Sequence, residues 1–428
     1  MSEDPDRNHK KGNERGTAMK HSIQDIEYAE YLFDRFYSIG STENGGVTRL
    51  GYTEVEDEMH DVFVALGKEK GFESYTDEVG NTYIYNPDCK SDEDGEYYLV
   101  ASHLDSVVEG GRYDGVSGII TGLLLLNWAK QDGLEIPIRV GAMRCEESSN
   151  FGRSTVGSGL ITKEVYKHDI GEATNREGKT LSEVFKERGY SLQPKRIQGV
   201  KEYIELHIEQ GKVLEEYDDA IGIVTTVAGP RRFLIHIKGS AEHSGATPMG
   251  MRSDALCAAS EIILEIEEIG KDESIYQSVA TVGTVKVSPN ALNVIPGEVT
   301  LGVDMRGIDS SSLDRMEARL KSACKKICEK RKVKYYREKT SDIPPIAMSV
   351  DVQQKLLAAA KKLRIPHRSM ISGAGHDAMS FANICETGMV FIPCAKGISH
   401  NKKEFATIES ICDGAQVIYE HFKEEMEV

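Results

Sequence analysis

No stretch of this 428-residue chain stays apolar for the ~18 residues that a membrane-spanning helix needs. The longest apolar run, Gly118 to Trp128, has the length of a buried helix instead. The eight cysteines include no Cys-x-x-Cys pair, and only Cys324 and Cys328 stand one helical turn apart. Reduced, structural thiols are therefore expected, as in a cytoplasmic protein. Positive charge is also short: 52 Lys and Arg against 69 Asp and Glu leave a formal net charge of −17. That balance argues against a nucleic-acid surface and for a soluble, self-repelling particle. Before Met19 the chain is polar and mixed in charge (Asp4, Asp6, Arg7, Lys10, Lys11, Arg15), without the apolar core of a secretory signal. Residues 1–18 are expected to be a disordered tail.

The composition, 39% hydrophobic and 28% charged, is ordinary for a soluble globular protein, and the chain is too long for one compact core, so two domains are expected. Apolar residues recur at helical spacing over Asp25–Tyr37 and Glu54–Lys70. Strand-like runs at Asn81–Tyr85, Tyr97–Ala101, Ile136–Ala142 and Tyr203–His207 alternate with helical ones, which predicts an α/β layer fold. After Gly229-Pro230 the texture changes to strand (Arg232–Gly239), helix (Asp254–Gly270), strands (Val279–Val287, Glu298–Arg306), helix (Ser311–Arg331) and strand (Lys334–Tyr336). That order suggests a small α+β insertion with a four-stranded antiparallel sheet. The α/β texture resumes near Pro344, with a helix at Val350–Leu363, a buried segment Met389–Ile392 and a closing helix. The expected architecture is a mixed-sheet α/β catalytic domain, residues 19–227 and 338–428, interrupted by a lid at 228–337.

Charge gathers where these strands end. "ASHLDSVVEGGRYDGVSGI" follows the apolar run Tyr97–Val100 and carries His103, Asp105 and Asp114. His103 and Asp105 alternate with Leu104 and point the same way, and a ligating histidine commonly passes its second N–H to such a carboxylate. Asp114 precedes a helix start, whose free amides favour an anion. Taken alone, the stretch reads equally well as a polar loop with capping aspartates. "RVGAMRCEESSNF" ends another strand in Glu146-Glu147, and adjacent buried carboxylates are costly unless a cation separates their roles. One could ligate a metal while the other takes a proton from water. His207 in "EYIELHIEQG" and His400 in "FIPCAKGISHNKKE" complete five candidate ligands: His103, Asp114, Glu147, His207 and His400. Nitrogen and oxygen donors without thiolate suit Zn²⁺, Mn²⁺, Co²⁺ or Ni²⁺, and a bridging aspartate suits two ions per subunit.

The segments "SHLDSVVEGGRYDGVSG", "EESSNFG", "ELHIEQG", "KGSAEHSGATPMGMRSDA", "SPNALNVIPGEVTLGVDMR", "SGAGHDAM" and "GISHNKKE", in this order, resemble the hydantoinase/carbamoylase branch of the metallopeptidase-like amidohydrolases. The likeness runs from about Met19 onward. Two positions depart from it: Asn150 stands where the branch usually has arginine, and Ser148 where it has glycine. The resemblance implies that His103, Glu147, His207 and His400 hold a metal pair bridged by Asp114, and that Glu146 is the general base. It implies that His243 reaches from a partner subunit of a homodimer to polarise the scissile carbonyl, so that the lid also dimerises. Asn293 and Arg306 would grip the substrate carboxylate, with Gln210, Gly375 and His376 as further pocket contacts. Arg306 offers a bidentate fork for a carboxylate, and an imidazole a donor for an oxyanion.

The implied reaction is hydrolysis of the ureido bond of an N-carbamoyl-L-amino acid, a small ureido acid, to ammonia and CO₂. Allantoate amidohydrolase and β-ureidopropionase are the near alternatives, and an aminopeptidase or dipeptidase a more distant one. A noncatalytic binder would not need Glu146, and structural zinc is usually closed by cysteines.

Overall fold

The computed structural model describes residues 21–89, 95–163 and 170–427; the expected tail at 1–18 lies outside them. One sheet collects β1 (Glu73–Thr76), β2 (Thr82–Tyr85), β3 (Tyr97–His103), β4 (Ile138–Met143), β5 (Val200–Ile208) and β6 (Ile221–Val227). The chain then builds a second sheet from β7 (Gly229–Lys238), β8 (Val279–Ser288), β9 (Glu298–Gly307) and β10 (Lys334–Asp342). It returns to the first with β11 (Ile346–Ala347), β12 (His367–Ser372) and β13 (Glu386–Ile392). The large sheet runs β1-β2-β4-β3-β5-β13-β6-β11, with β12 paired to β6. Within it β4, β3, β5 and β13 are parallel neighbours. Antiparallel pairs to β2 and β6 flank this centre, so the sheet is mixed.

The centre is parallel because both of its faces are covered. All of β3 is buried, and a strand buried on two faces reads as a continuous apolar run. Tyr98 and Val100 face one core with Ile204, Leu206 and Ile208 of β5. Tyr97, Leu99 and Ala101 face another with Tyr203. Over the first face lies helix Val116–Asp132, buried from Val116 to Ala129 and apolar all round, as a core helix must be. Helices Ile408–Glu427, Ile23–Tyr37 and Val350–Leu363 pack on the same side. Helices Val156–Thr162, Leu181–Arg188 and Ala378–Phe381 supply the opposite layer. Among the described residues, no helix is long and apolar enough to cross a membrane.

The second sheet is fully antiparallel in the order β10-β7-β9-β8. Phe233, Ile235 and Ile237 of β7 and Val299, Leu301, Val303 and Met305 of β9 alternate into one core beneath helices Ala255–Glu273 and Ser310–Arg331. The strand expected at Lys334–Tyr336 continues to Asp342, paired with β7 throughout, and so crosses the 337/338 boundary drawn from sequence. Its last turns are charged because they bond outward: Arg337 and Lys339 both reach Glu317, and Arg231 reaches Asp342. β1, β6, β11 and β12 add strands to the sheet beyond those expected.

Gly118 sets how closely the central helix approaches the sheet, because a Cβ there would overlap the Leu206 carbonyl oxygen and crowd Ser102. Gly118→Ala should therefore destabilise the protein by about 1–3 kcal/mol through overpacking. Gly283→Ala on β8, where a Cβ meets nothing within 4 Å, is the control. Equal denaturant midpoints for the two variants would contradict this packing account.

Candidate metal and active site

The parallel order β4-β3-β5-β13 brings four strand ends to one edge, the usual place for a site in such sheets. His103 is the last residue of β3, and His207 lies one residue short of the end of β5. Glu146 and Glu147 follow β4, and His400 follows β13. Asp114 stands before helix Val116–Asp132, where the N-cap Gly115 has φ +67°. A side chain at 115 would overlap the His103 carbonyl and its ring, so glycine lets the imidazole lie beside Asp114.

The two oxygens of Asp114 face different partners. His103 Nε2 and His207 Nε2 lie 3.4 and 2.9 Å from Oδ1. His400 Nε2 lies 3.2 Å from Oδ2 and 3.0 Å from Glu147 Oε1. The sets His103–Asp114–His207 and Asp114–Glu147–His400 each have ligand atoms within 4.8 Å of one another. His103 Nδ1 is 3.1 Å from the Asp105 carbonyl and His207 Nδ1 2.9 Å from the Ile208 carbonyl. A carbonyl only accepts, so each Nδ1 carries its hydrogen and each Nε2 turns toward Asp114. Asp114 Oδ1 is buried yet accepts no hydrogen bond. Two ring nitrogens converging on an unsatisfied carboxylate oxygen fit a divalent cation.

The electrostatics express the same demand for positive charge. Asp114 and Glu147 push His400 up to about 11. Burial disfavours charge on His103, but Asp105, Asp114 and Glu146 outweigh it and hold the ring well above the usual imidazole range. Burial, reinforced by Glu147, Asp377 and Asp105 and opposed by His103, drives Glu146 well above ordinary carboxylates. A buried carboxylate with raised proton affinity suits a general base.

The loop that carries the glutamates is clamped from behind. Cys145 is in the left-handed region at φ +53°. Its amide donates to Glu56 Oε1 at 2.9 Å, and the amides of Glu146 and Glu147 donate to the two oxygens of Asp105, each at 3.0 Å. Glu56 also accepts from the Tyr52 amide and from Arg144. Asp105 was expected to serve His103. Its carboxylate lies 3.4 Å from that ring and spends its hydrogen bonds on the glutamate amides.

The remaining expected residues divide into two groups. Gln210 joins the cluster, with Nε2 3.0 Å from Asp114 Oδ2 and 3.2 Å from His400 Nε2. His376 is buried against His207, with ring centroids 4.5 Å apart and Nε2 3.0 Å from Ser372 Oγ. Arg306 donates to the Gly373 carbonyl at 2.7 Å, which ties β9 to the turn that holds Gly375. His243 and Asn293 are gathered with each other instead. His243 bridges to Val294, and the Ser244 amide donates to the Asn293 carbonyl. Both are exposed, and the His243 ring accepts from the Gly245 and Ala246 amides. Asn150 is buried and donates to the Gly51 carbonyl at 2.7 Å, so this departure faces the protein interior.

Sequence reasoning missed Glu56 and Glu205. Glu205, with His207 and His376, forms a third set of close donor atoms. It already accepts from Tyr203, Ser102 and the Ala378 amide, which leaves it a poor free ligand. A charged residue inside the buried alternation Tyr203–Glu205–His207 was the signal for it.

Comparison with known proteins places the chain in a family. The family described as Peptidase family M20/M25/M40 matches residues 99–424. The chain is 35% identical over 390 residues to an N-carbamoyl-L-amino acid amidohydrolase of Geobacillus stearothermophilus, covering 89% of this chain and 94% of the relative. It is 33% identical over 386 residues to the allantoate amidohydrolase of Escherichia coli K12, covering 89% and 93%. A crystal structure of a hydantoinase/carbamoylase family amidase from Burkholderia multivorans superposes with TM-score 0.83 at 34% identity, covering 93% and 97%. The chain belongs to the M20/M25/M40 family. Within it, the chain falls among the carbamoylases and allantoate amidohydrolases and is a hydrolase of C–N bonds.

Proposed function

We propose that the chain hydrolyses the ureido C–N bond of an N-carbamoyl-L-amino acid, releasing ammonia and carbon dioxide. The observation that carries this reading is the divided Asp114 carboxylate, with His103 and His207 at one oxygen and His400 at the other, beside the buried Glu146. One divalent ion (Zn²⁺, Mn²⁺, Co²⁺ or Ni²⁺) would be held by His103, His207 and Asp114, and a second by Asp114, Glu147 and His400. Bound there, such ions supply Lewis acidity toward the carbonyl and a lowered pKa for the attacking water. Glu146 accepts the proton of that water and delivers it to the departing nitrogen. The water oxygen bonds to the ureido carbon, the C–N bond breaks, ammonia leaves with the delivered proton, and the N-carboxy amino acid then loses CO₂.

Arg306 and Asn293 bind the substrate carboxylate, with Gln210, His376 and the main chain at Gly375 around the ureido group. In His243, Nδ1 accepts from the Gly245 and Ala246 amides at 3.1 and 3.2 Å. Its hydrogen therefore sits on Nε2, where an exposed ring can donate it to a developing oxyanion. His243 and Asn293 are exposed, with their loops paired to each other, and we assign them to the site of a second copy in a homodimer.

Ammonia release from a panel of N-carbamoyl-L-amino acids, allantoate and dipeptides, with added Mn²⁺, tests the substrate class. Turnover of at least one N-carbamoyl-L-amino acid in preference to allantoate is expected. Hydrolysis of dipeptides with no ammonia from any ureido acid would sink the proposal, and exclusive use of allantoate would move it to the neighbouring activity.

Composite sites make a second prediction. Glu146→Gln disables a chain's own site, whereas His243→Ala disables its partner's. Co-expression of the two should restore up to about a quarter of wild-type activity with random pairing, since half of the dimers carry one intact site. If confirmed heterodimers show no recovery, the cross-subunit role of His243 is wrong.

A further inference from the structure

The motif "GISHNKKE" ends in a carboxylate for which the proposed chemistry has no use. Glu404 is buried, 5% exposed, and lies four residues beyond His400. Its Oε1 accepts the amides of Tyr113 and Asp114 at 2.9 and 3.0 Å. Its Oε2 accepts the Ser399 hydroxyl at 2.9 Å and the His400 amide at 3.3 Å. One oxygen thus holds the Asp114 loop and the other the His400 loop, although the two residues are far apart in sequence. Ser399 extends the link, because its Oγ lies 3.4 Å from Asp114 Oδ2 and 3.2 Å from Gln210 Nε2. Space for the carboxylate depends on Gly111, where a Cβ would overlap it.

We infer that Glu404 is a positioning residue that sets the distance between Asp114 and His400, and hence the affinity of the Asp114–Glu147–His400 group for its ion. The inference rests on the two-ion reading above. It mirrors the way Asp105 holds the amides of Glu146 and Glu147. A buried carboxylate whose four acceptor contacts divide between two loops is a connector, since removing it frees each loop separately. Such outer partners of metal ligands commonly change affinity by about 10–100-fold when lost. The opposite group shares Asp114, but its two imidazoles, His103 and His207, are carried by β3 and β5, so Glu404 touches one of its three ligand residues against two residues of the Asp114–Glu147–His400 group.

The test is a Zn²⁺ titration of the metal-free full chain, wild type beside Glu404→Gln and Gly111→Ala. A glutamine keeps the volume but has one acceptor oxygen, so its NH₂ must face the N–H and O–H donors of one loop. Wild type should bind two ions in resolvable steps. In Glu404→Gln one step should weaken by about 10–100-fold while the other changes far less. Gly111→Ala, which keeps the charge and displaces it, should act in the same direction. Metal-free melting temperatures report any general loss of structure, and the unequal effect on the two steps should persist when they match wild type. Unchanged steps, or two steps weakened equally along with a lowered metal-free melting temperature, would overturn the positioning role. A wild-type chain that binds fewer than two ions would overturn the two-ion reading itself, and this inference with it.

Discussion

The carboxylate of Asp114 meets three imidazoles through two oxygens, and most of the surrounding architecture follows from making that meeting tolerable. Buried carboxylates and ring nitrogens are costly away from water unless opposite charge or hydrogen bonds compensate them. Here the compensation is arranged around the edge of a parallel sheet. The strand order β4-β3-β5-β13 delivers Glu146 and Glu147, His103, His207 and His400 to that edge from separated parts of the chain. Helix Val116–Asp132 brings Asp114 to meet them, pressed against β3 and β5 at Gly118. Without that close approach, the aspartate would not lie between the histidines.

A second layer of charge fixes the loops. Three successive amides, Cys145 to Glu147, are held by Glu56 and Asp105, and Glu404 holds the amides of Tyr113, Asp114 and His400. Cys145 and His400 both sit at positive φ, a conformation that persists only where the surroundings determine it. Such backbone strain beside the ligands is consistent with a preorganised site. The cluster opens outward at His400, whose side chain is 47% exposed, while His103 and His207 are each 1% exposed. His400 is thus the imidazole of the three that faces solvent, with the buried pair behind it.

Much of this was legible in the residues, for physical reasons that differ from place to place. A continuous apolar run marked β3, period-two alternation marked β5 and β7, and the unbroken run from Gly118 to Trp128 marked the core helix. Charge at the ends of apolar strands points to the cluster independently of any family likeness. β1 was hidden because all four of its residues are exposed on a sheet edge, so it has no buried face to alternate. The end of β10 was hidden because its outward charges pair with Glu317 and Arg231. β6, by contrast, is a plain β-branched run with its own strand signal. Glu56 and Glu404 act on backbone amides distant in sequence, and no spacing rule reveals such partners. Asp105 was noticed for its neighbour His103, whereas its hydrogen bonds go to a different loop.

Arg306 lies on the second sheet, and His243 and Asn293 lie on the loops between its strands. Arg306 touches the turn at Gly373, whereas His243 and Asn293 are exposed and their two loops pair with each other. Within one chain, the central claim is the division of labour between Glu146 and Glu147. Its most direct test is metal analysis paired with activity for Glu146→Gln and Glu147→Gln. The account predicts that Glu146→Gln keeps the wild-type metal content and loses hydrolysis, because only the proton acceptor is gone, while Glu147→Gln loses bound metal as well. Equal metal loss in both variants, or full activity in Glu146→Gln, would contradict it.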